Sequence, residues 1–202
     1  MTDLRRDDNG SFYIDEKGNI ATKSLEQVDD YIKLGSVLPK ANMAWRNNFS
    51  WNNFHLGFMI SARLGGVVFS RTQAMLDSFG VSEVSADARD HGNIVFPNGD
   101  SVTPERWFST IGGDKTIPQY YTYSATNVRL QEASFGYTFP RKMFRDVCEL
   151  SVSLVGRNLW MIYNKAPFDP ESVASTNNFY QGIDYFMMPS QRNVGLNVSL
   201  KF

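Results

Sequence analysis

A single cysteine, Cys148, among 202 residues excludes an internal disulfide, and with it the disulfide-stapled secreted scaffolds. Two histidines, His55 and His91, are too few for a His-rich metal site. No apolar run approaches the roughly 18 residues that a spanning helix needs. Neither charge dominates, with Lys+Arg 20 against Asp+Glu 21, so the basic footprint of a nucleic-acid binder is missing. Phosphate-loop glycines, nucleophile motifs and metal-ligand spacings are absent too, so no enzyme activity, cofactor or metal is expected. The first stretch of the chain is polar and charged, so no signal peptide is expected there. Two origins fit: a cytosolic protein, or the mature or C-terminal part of a longer exported chain.

Aromatics are plentiful, and they fall into two sets, those on alternating stretches and those in the long segments between. The clearest alternation runs from Asn193 to Phe202. Val194, Leu196, Val198, Leu200 and Phe202 share one face of an extended strand, while Asn193, Gly195, Asn197, Ser199 and Lys201 share the other. Its length, about ten residues, suits a tilted membrane strand as well as a half-buried soluble one. The pattern recurs. Met43, Trp45, Phe49 and Trp51 alternate with Ala44, Arg46, Asn48 and Ser50. Asn52-Asn53 then supplies a two-residue turn, because Asn tolerates positive φ. Phe54, Leu56, Phe58, Ile60, Ala62 and Leu64 resume the apolar face. A fourth strand carries Ala133, Phe135, Tyr137 and Phe139, with a bulge expected near Gln131-Glu132 because Leu130 has the wrong parity. A fifth runs from Cys148 to Trp160 with Leu150, Val152 and Leu154 on one face. Arg46, Arg63, Glu149, Arg157 and Lys201 all sit on the polar parity, where neither lipid nor a soluble core would meet them.

The connections discriminate between those two settings. Short links at Asn52-Asn53 and at 140–147 alternate with long ones at 65–127 and 161–192, far beyond the about 12–15 residues usual in soluble domains. Outer-membrane barrels have short periplasmic turns and long extracellular loops. The expected fold is therefore all-β, an antiparallel transmembrane β-barrel, with residues 1–42 an extracellular loop region, 43–65 a hairpin, 66–127 an extracellular loop, 128–160 a hairpin, 161–192 an extracellular loop and 193–202 the terminal strand. Turn signals fall at Asn9-Gly10 and Lys17-Gly18. Five strands cannot close a barrel, since closure begins at about eight, so this reads as the C-terminal section of something larger.

Several short motifs then occur in a fixed order. Gly35-Ser-Val-Leu-Pro39 precedes Asn48-Phe-Ser-Trp-Asn-Asn-Phe54, and Arg106-Trp107 comes next. Val128-Arg-Leu-Gln-Glu-Ala-Ser-Phe-Gly-Tyr-Thr-Phe-Pro140, Gly156-Arg-Asn-Leu159, Asp169-Pro-Glu171, Gly182-Ile-Asp-Tyr185 and Pro189 complete the series. In this order they resemble the C-terminal section of SusC/RagA-type TonB-linked outer-membrane proteins. Residues 1–34 depart from that family more than the rest. The resemblance implies a barrel of about 22 strands with a plug inside. It implies import of oligosaccharide or peptide driven through the TonB complex, and a SusD-like surface lipoprotein as lid. The setting would be the bacterial outer membrane, and this segment would transport nothing alone, since the plug is not in it.

Three groups of residues are candidates for a role. Asn193, Gly195, Val198, Leu200 and Phe202 resemble the barrel-insertion signal read by the barrel-assembly machinery through strand addition; the plainer reading is an ordinary strand. Trp45, Trp51, Phe54, Tyr137 and Phe139, with Phe202, are expected as an interfacial girdle meeting membrane lipid near the periplasmic strand ends. Trp107, Tyr120, Tyr121, Tyr180 and Tyr185 could touch substrate or lid, as could Tyr163, Phe179 and Phe186, although large loops also need small cores of their own. Asp169 and Glu171 suggest an acid/base pair or a Ca²⁺ site, but loop structure explains them better, with Asp169 opening a turn and Glu171 capping the segment after it. Asp7, Asn9 and Asp15 lack calcium-loop spacing. Cys148 reads as inert, and His55 has no partner visible in sequence. The competing fold is a soluble carbohydrate-binding β-sandwich, in which a second sheet would cover the apolar faces.

Overall fold

The computed structural model describes residues 2–6, 11–24, 31–175, 177 and 180–202; Asp7, the Asn9-Gly10 turn and Phe179 lie outside these. The strands begin with β1 (Thr2–Leu4), β2 (Thr22–Ser24), β3 (Ala41–Trp51), β4 (Phe54–Leu64) and β5 (Val67–Ser70). Two helices, α1 (Arg71–Ser78) and α2 (Glu83–His91), are followed by β6 (Ile94–Val95), β7 (Ser101–Val102) and α3 (Pro104–Gly112). The series closes with β8 (Thr122–Ser124), β9 (Asn127–Phe139), β10 (Glu149–Asn164), β11 (Ile183–Asp184) and β12 (Asn193–Lys201). These elements form two compact units.

The first unit, a strand wall, comprises Ser36–Val67, Ser124–Ser172 and Met187–Phe202. Its five strands lie in the order β12-β10-β9-β4-β3, each antiparallel to its neighbour, so the long strands are joined up and down. The hairpin β3–β4 closes through Asn52-Asn53, with Asn52 at φ 50, the left-handed conformation the turn requires. Pro140 ends β9, and a 3-10 turn at Arg141–Phe144 leads to Arg145 and Asp146, both at positive φ, before β10 begins. Cys148 lies in this link, partly buried, one residue ahead of β10.

The expected bulge is present. Met59 pairs with Glu132 but Ile60 pairs with Leu130, which leaves Gln131 unmatched and returns Leu130 to the apolar face. On β10 the register jumps from Arg157↔Glu132 to Trp160↔Leu130, so Asn158 and Leu159 together stand opposite the single residue Gln131. Asn158 sits at φ 51 and its Nδ2 donates to the Gln191 carbonyl at 3.2 Å. Leu159 folds back over Gly156, where a Cβ would lie 2.6 Å from Leu159 Cδ2. The Gly156-Arg-Asn-Leu159 motif thus has a physical content. Asn makes the left-handed bulge, the bulge turns Leu159 back, and Gly156 gives its side chain room that a Cβ would make it give up by shifting.

The second unit comprises residues of Met1–Gly35, Val68–Tyr123 and Val173–Phe186. It is more than a loop. From sequence most of this stretch is expected as extracellular loop, yet its described residues hold three α-helices and short strands, among them β11 paired in parallel with β5. Each helix has its cap: Ser70 accepts from the Gln73 N–H, Ser82 from the Ser85 N–H, and Thr103 from the Arg106 N–H with Pro104 at the first helical turn. Leu4, Ile20, Ala74, Phe96, Val102, Phe108, Ile111, Ile117 and Tyr121 form the core. α1 and α3 approach closely at Gly112, where any Cβ would collide with the Ala74 carbonyl oxygen and crowd Tyr121 Oη. Burial, with the Asp77 charge nearby, pushes the Tyr121 phenol well above its usual pKa, so it stays protonated.

Candidate functional site: a two-faced wall and a buried loop anchor

Register carries the apolar residues of all five strands to one face. One row reads Phe49, Leu56, Phe135, Leu154, Leu196, and the next toward the turn reads Trp51, Phe54, Tyr137, Val152, Val198. Large side chains on this face are exposed on every strand, from Trp51 at 76% to Val194 at 69%. A β-sandwich would bury this face beneath a second sheet; here it is open. Rings touch along it, with Phe54 and Tyr137 centroids 4.7 Å apart and Trp45 and Phe58 5.5 Å apart.

The aromatic girdle expected from sequence needs one correction. Trp51, Phe54, Tyr137 and Phe139 lie at the short-turn end of the wall. Trp45 does not. It pairs with Ile60, six residues before Trp51 on the same strand, which is about 20 Å away at the usual strand rise. Ile60 pairs with Leu130 and Leu130 with Trp160, so Trp45 and Trp160 share a second row toward the long-loop end. Sequence reasoning passed over Trp160, although its place at the end of a strand was the available signal.

The other face is polar. Glu132 Oε2 lies 3.3 Å from Arg46 Nη2 and 3.9 Å from Arg157 Nε. All three are partly exposed, so each pair contributes at most about 1 kcal/mol. His55, expected to stand alone, has partners that the register supplies. Its Nδ1 is 3.2 Å from Ser50 Oγ across the hairpin and its Nε2 3.0 Å from Thr138 Oγ1, which in turn meets Ser151 Oγ at 2.9 Å.

At the long-loop end, residues from three separate motifs meet. The Arg129 side chain, 5% exposed, holds Asp169 Oδ1 at 2.9 Å through Nη2 and Glu171 Oε2 at 3.2 Å. Its Nη1 donates to Ser190 Oγ, and Ser190 donates to Asp169 Oδ2 through both its N–H and its hydroxyl. Asn127 Nδ2 reaches Glu171 Oε1 at 3.4 Å. Asp169 does open a turn, accepting from the Glu171 N–H at 3.1 Å. Glu171 serves as the second carboxylate on Arg129. Burial alone would raise the Asp169 pKa, but hydrogen bonds from Ser190 and the Glu171 N–H, with the Arg129 charge, outweigh it and hold the carboxyl below its ordinary range. The motif strand carried the signal in Arg129, but only the fold shows which carboxylates it meets.

The loop aromatics divide. Tyr121 is 2% exposed and belongs to the core, so it has no surface to offer a ligand in this conformation. Trp107 and Tyr120 pack against that core, Trp107 in a triangle with Phe12 and Phe96 at centroid distances of 5.0–5.6 Å. Tyr180 and Tyr185 are about half exposed, with the Tyr185 ring against Phe186. Asn193, Gly195, Val198 and Leu200 lie on β12, with Phe202 just beyond; β12 pairs with β10 on one side and is an edge of the sheet on the other.

Among the described residues the sheet is apolar on one face, polar on the other, joined up and down and open at both edges, as a section of β-barrel wall is. The chain shows the same affinity in comparisons. No family model matches it. It is 26% identical over 203 residues to "TonB-dependent receptor P3" of Formosa agariphila, covering 97% of this chain and 19% of that one. It is also 26% identical over 204 residues to "TonB-dependent receptor P26" of the same organism, covering 96% and 20%. In fold it is similar to the RagAB peptide importer in its "closed-closed" state (TM-score 0.66, 17% identity, all of this chain and 22% of that) and its "open-open" state (0.65, 16%, all and 22%). Over nearly its whole length the chain is thus similar to proteins named as TonB-dependent receptors, and it shares the fold of the matching part of the RagAB peptide importer. It spans about a fifth of the length of the curated relatives it matches.

Proposed function

We propose that these residues form the C-terminal wall and extracellular loops of an outer-membrane TonB-dependent importer of oligosaccharide or peptide, and transport nothing by themselves. The observation that carries this reading is the segregation of the wall into an exposed apolar face and a polar face across five strands whose two edges are open. Backbone groups at an open edge in lipid cost several kcal/mol each, on the order of an unmade hydrogen bond in hydrocarbon, so further strands must adjoin β3 and β12. The short turns at Asn52-Asn53 and 140–147 face the periplasm in this reading, and the long segments at 66–127 and 161–192 face outward. The polar face, with Arg46, Ser61, Arg63, Ser151 and Lys201, lines the lumen around a plug through which TonB acts. A SusD-like lipoprotein covers the entrance, and Tyr180 and Tyr185 are among the exposed aromatics that would meet it or substrate.

Expression of residues 1–202 alone tests this reading against the sandwich. The chain is expected in the insoluble fraction, recoverable only in detergent. A soluble monomer that unfolds cooperatively without detergent would eliminate the barrel reading. The edge position of β12 also supports a role for Asn193, Gly195, Val198, Leu200 and Phe202 in recognition by the barrel-assembly machinery. Deleting Phe202 from the full-length receptor is expected to lower its surface level several-fold by immunoblot of outer-membrane fractions; an unchanged level would remove that role.

A further inference from the structure

The apolar face of the wall is not uniform. Along one row Phe58 pairs with Ala133, Ala133 with Gly156 and Gly156 with Val194, so two of the smallest side chains lie side by side between larger ones. The neighbouring row toward the turn, Leu56, Phe135, Leu154 and Leu196, is bulky throughout. Leu159, turned back by the Asn158 bulge, roofs Gly156 from the other side. The result is a slot of about 200 Å³ walled by Leu56, Phe135, Leu154, Leu159 and Val194 and floored by Ala133 and Gly156. Ser134 is the one polar residue along it.

We propose that this slot holds one acyl chain of a membrane lipid more persistently than the rest of the wall does. The inference rests on the reading that this face meets lipid, with which the slot is continuous. An acyl chain is the occupant its chemistry fits. The lining offers no charge, and the surroundings in the membrane are hydrocarbon. Lipid tails are as apolar as leucine, so hydrophobic transfer gives no preference. The preference comes from contact. A methylene chain on flat strand meets protein on one side, whereas one in the slot meets it on three, and an unfilled slot forfeits those contacts on all its walls. The bulge that shapes Gly156-Arg-Asn-Leu159 thereby has a second consequence on the outside of the wall, since it builds one side of the slot.

The test uses the full-length receptor in its own outer membrane or in vesicles of native lipid extract containing a phospholipid with a diazirine on its acyl chain. After photolysis, adducts are mapped by mass spectrometry. Adducts at Leu56, Phe135 and Leu159 are expected at about threefold or more the yield at Leu196, Val198 and Leu200, a ratio that a few added carbon contacts supply. Ala133→Phe, which fills the slot from its floor, should reduce slot adducts to the flat-strand level, whereas Met43→Phe, on β3 away from the slot, should leave them unchanged. Even labelling along the face, or slot labelling that survives Ala133→Phe, would overturn the proposal. So would labelling of the flat strands with none in the slot, which would mean another protein covers it. Absence of adducts from every outward position would instead refute the membrane reading on which the proposal rests.

Discussion

Replacing Arg129 with methionine in the full-length receptor is expected to release the segment around Asp169 and Ser190 from the wall without unfolding the barrel. Arg129 and Asp169 are both nearly buried, and the variant leaves the Asp169 carboxylate with hydroxyl and amide partners but no cation. Removing one partner of a buried pair costs about 3–5 kcal/mol, because the remaining charge stays desolvated. Amide exchange in residues 165–192 should then rise by about 10²-fold or more. Glu171→Gln removes only a part-exposed second carboxylate and should change exchange by less than about fivefold. If Arg129→Met left exchange in this segment at its original level, the cluster would be a bystander and another contact would hold the loop.

The second large effect concerns the apolar face. Leu154 sits between the two aromatic rows, paired with Phe135 and Leu196 and exposed on the wall. Leu154→Arg should destabilise the folded receptor by about 2–4 kcal/mol if that position meets the middle of a bilayer. Asn197→Arg, one residue along β12 from Leu196 and on the polar face, should cost far less. Refolding titrations into vesicles measure the difference. A shift of about 30-fold or more in the folded-to-unfolded ratio is expected for Leu154→Arg, and equal shifts for the two variants would place water on both faces.

The parts of this structure legible in sequence are those governed by short period. Alternation with period two located all five wall strands, and the parity break at Leu130 located the bulge at Gln131, because both follow from strand geometry alone. The Asn52-Asn53 turn was legible for the same reason. The Trp45 position was also open to reading, since six residues of strand separate it from Trp51; grouping aromatics by type hid the distance between them. The helices α1, α2 and α3 were harder. They are 8 or 9 residues long, too short to be stable without packing. α1 and α2 carry little apolar stripe, so their caps at Ser70 and Ser82 are weak signals alone, whereas α3 pairs its Thr103-Pro104 cap with Trp107, Phe108 and Ile111 and was the legible one. The Arg129 anchor joins positions 40 and 61 residues apart, and no local rule connects them. His55 was legible as lumen-facing, while its partners on the neighbouring strands depended on register.

In the proposed barrel the two faces of the wall meet different solvents, lipid outside and an aqueous or protein-filled lumen inside. Single-cysteine variants of the full-length receptor at each position from Asn193 to Ser199, made in a background with Cys148 replaced by Ser and labelled in intact outer membranes, test it most directly. A lipid-phase spin label should report high oxygen and low nickel-chelate accessibility at Val194, Leu196 and Val198. Asn193, Gly195, Asn197 and Ser199 should show the reverse or no access to either reagent, giving a period of two along β12. Uniform nickel-chelate access at all seven positions, with no alternation, would contradict the account.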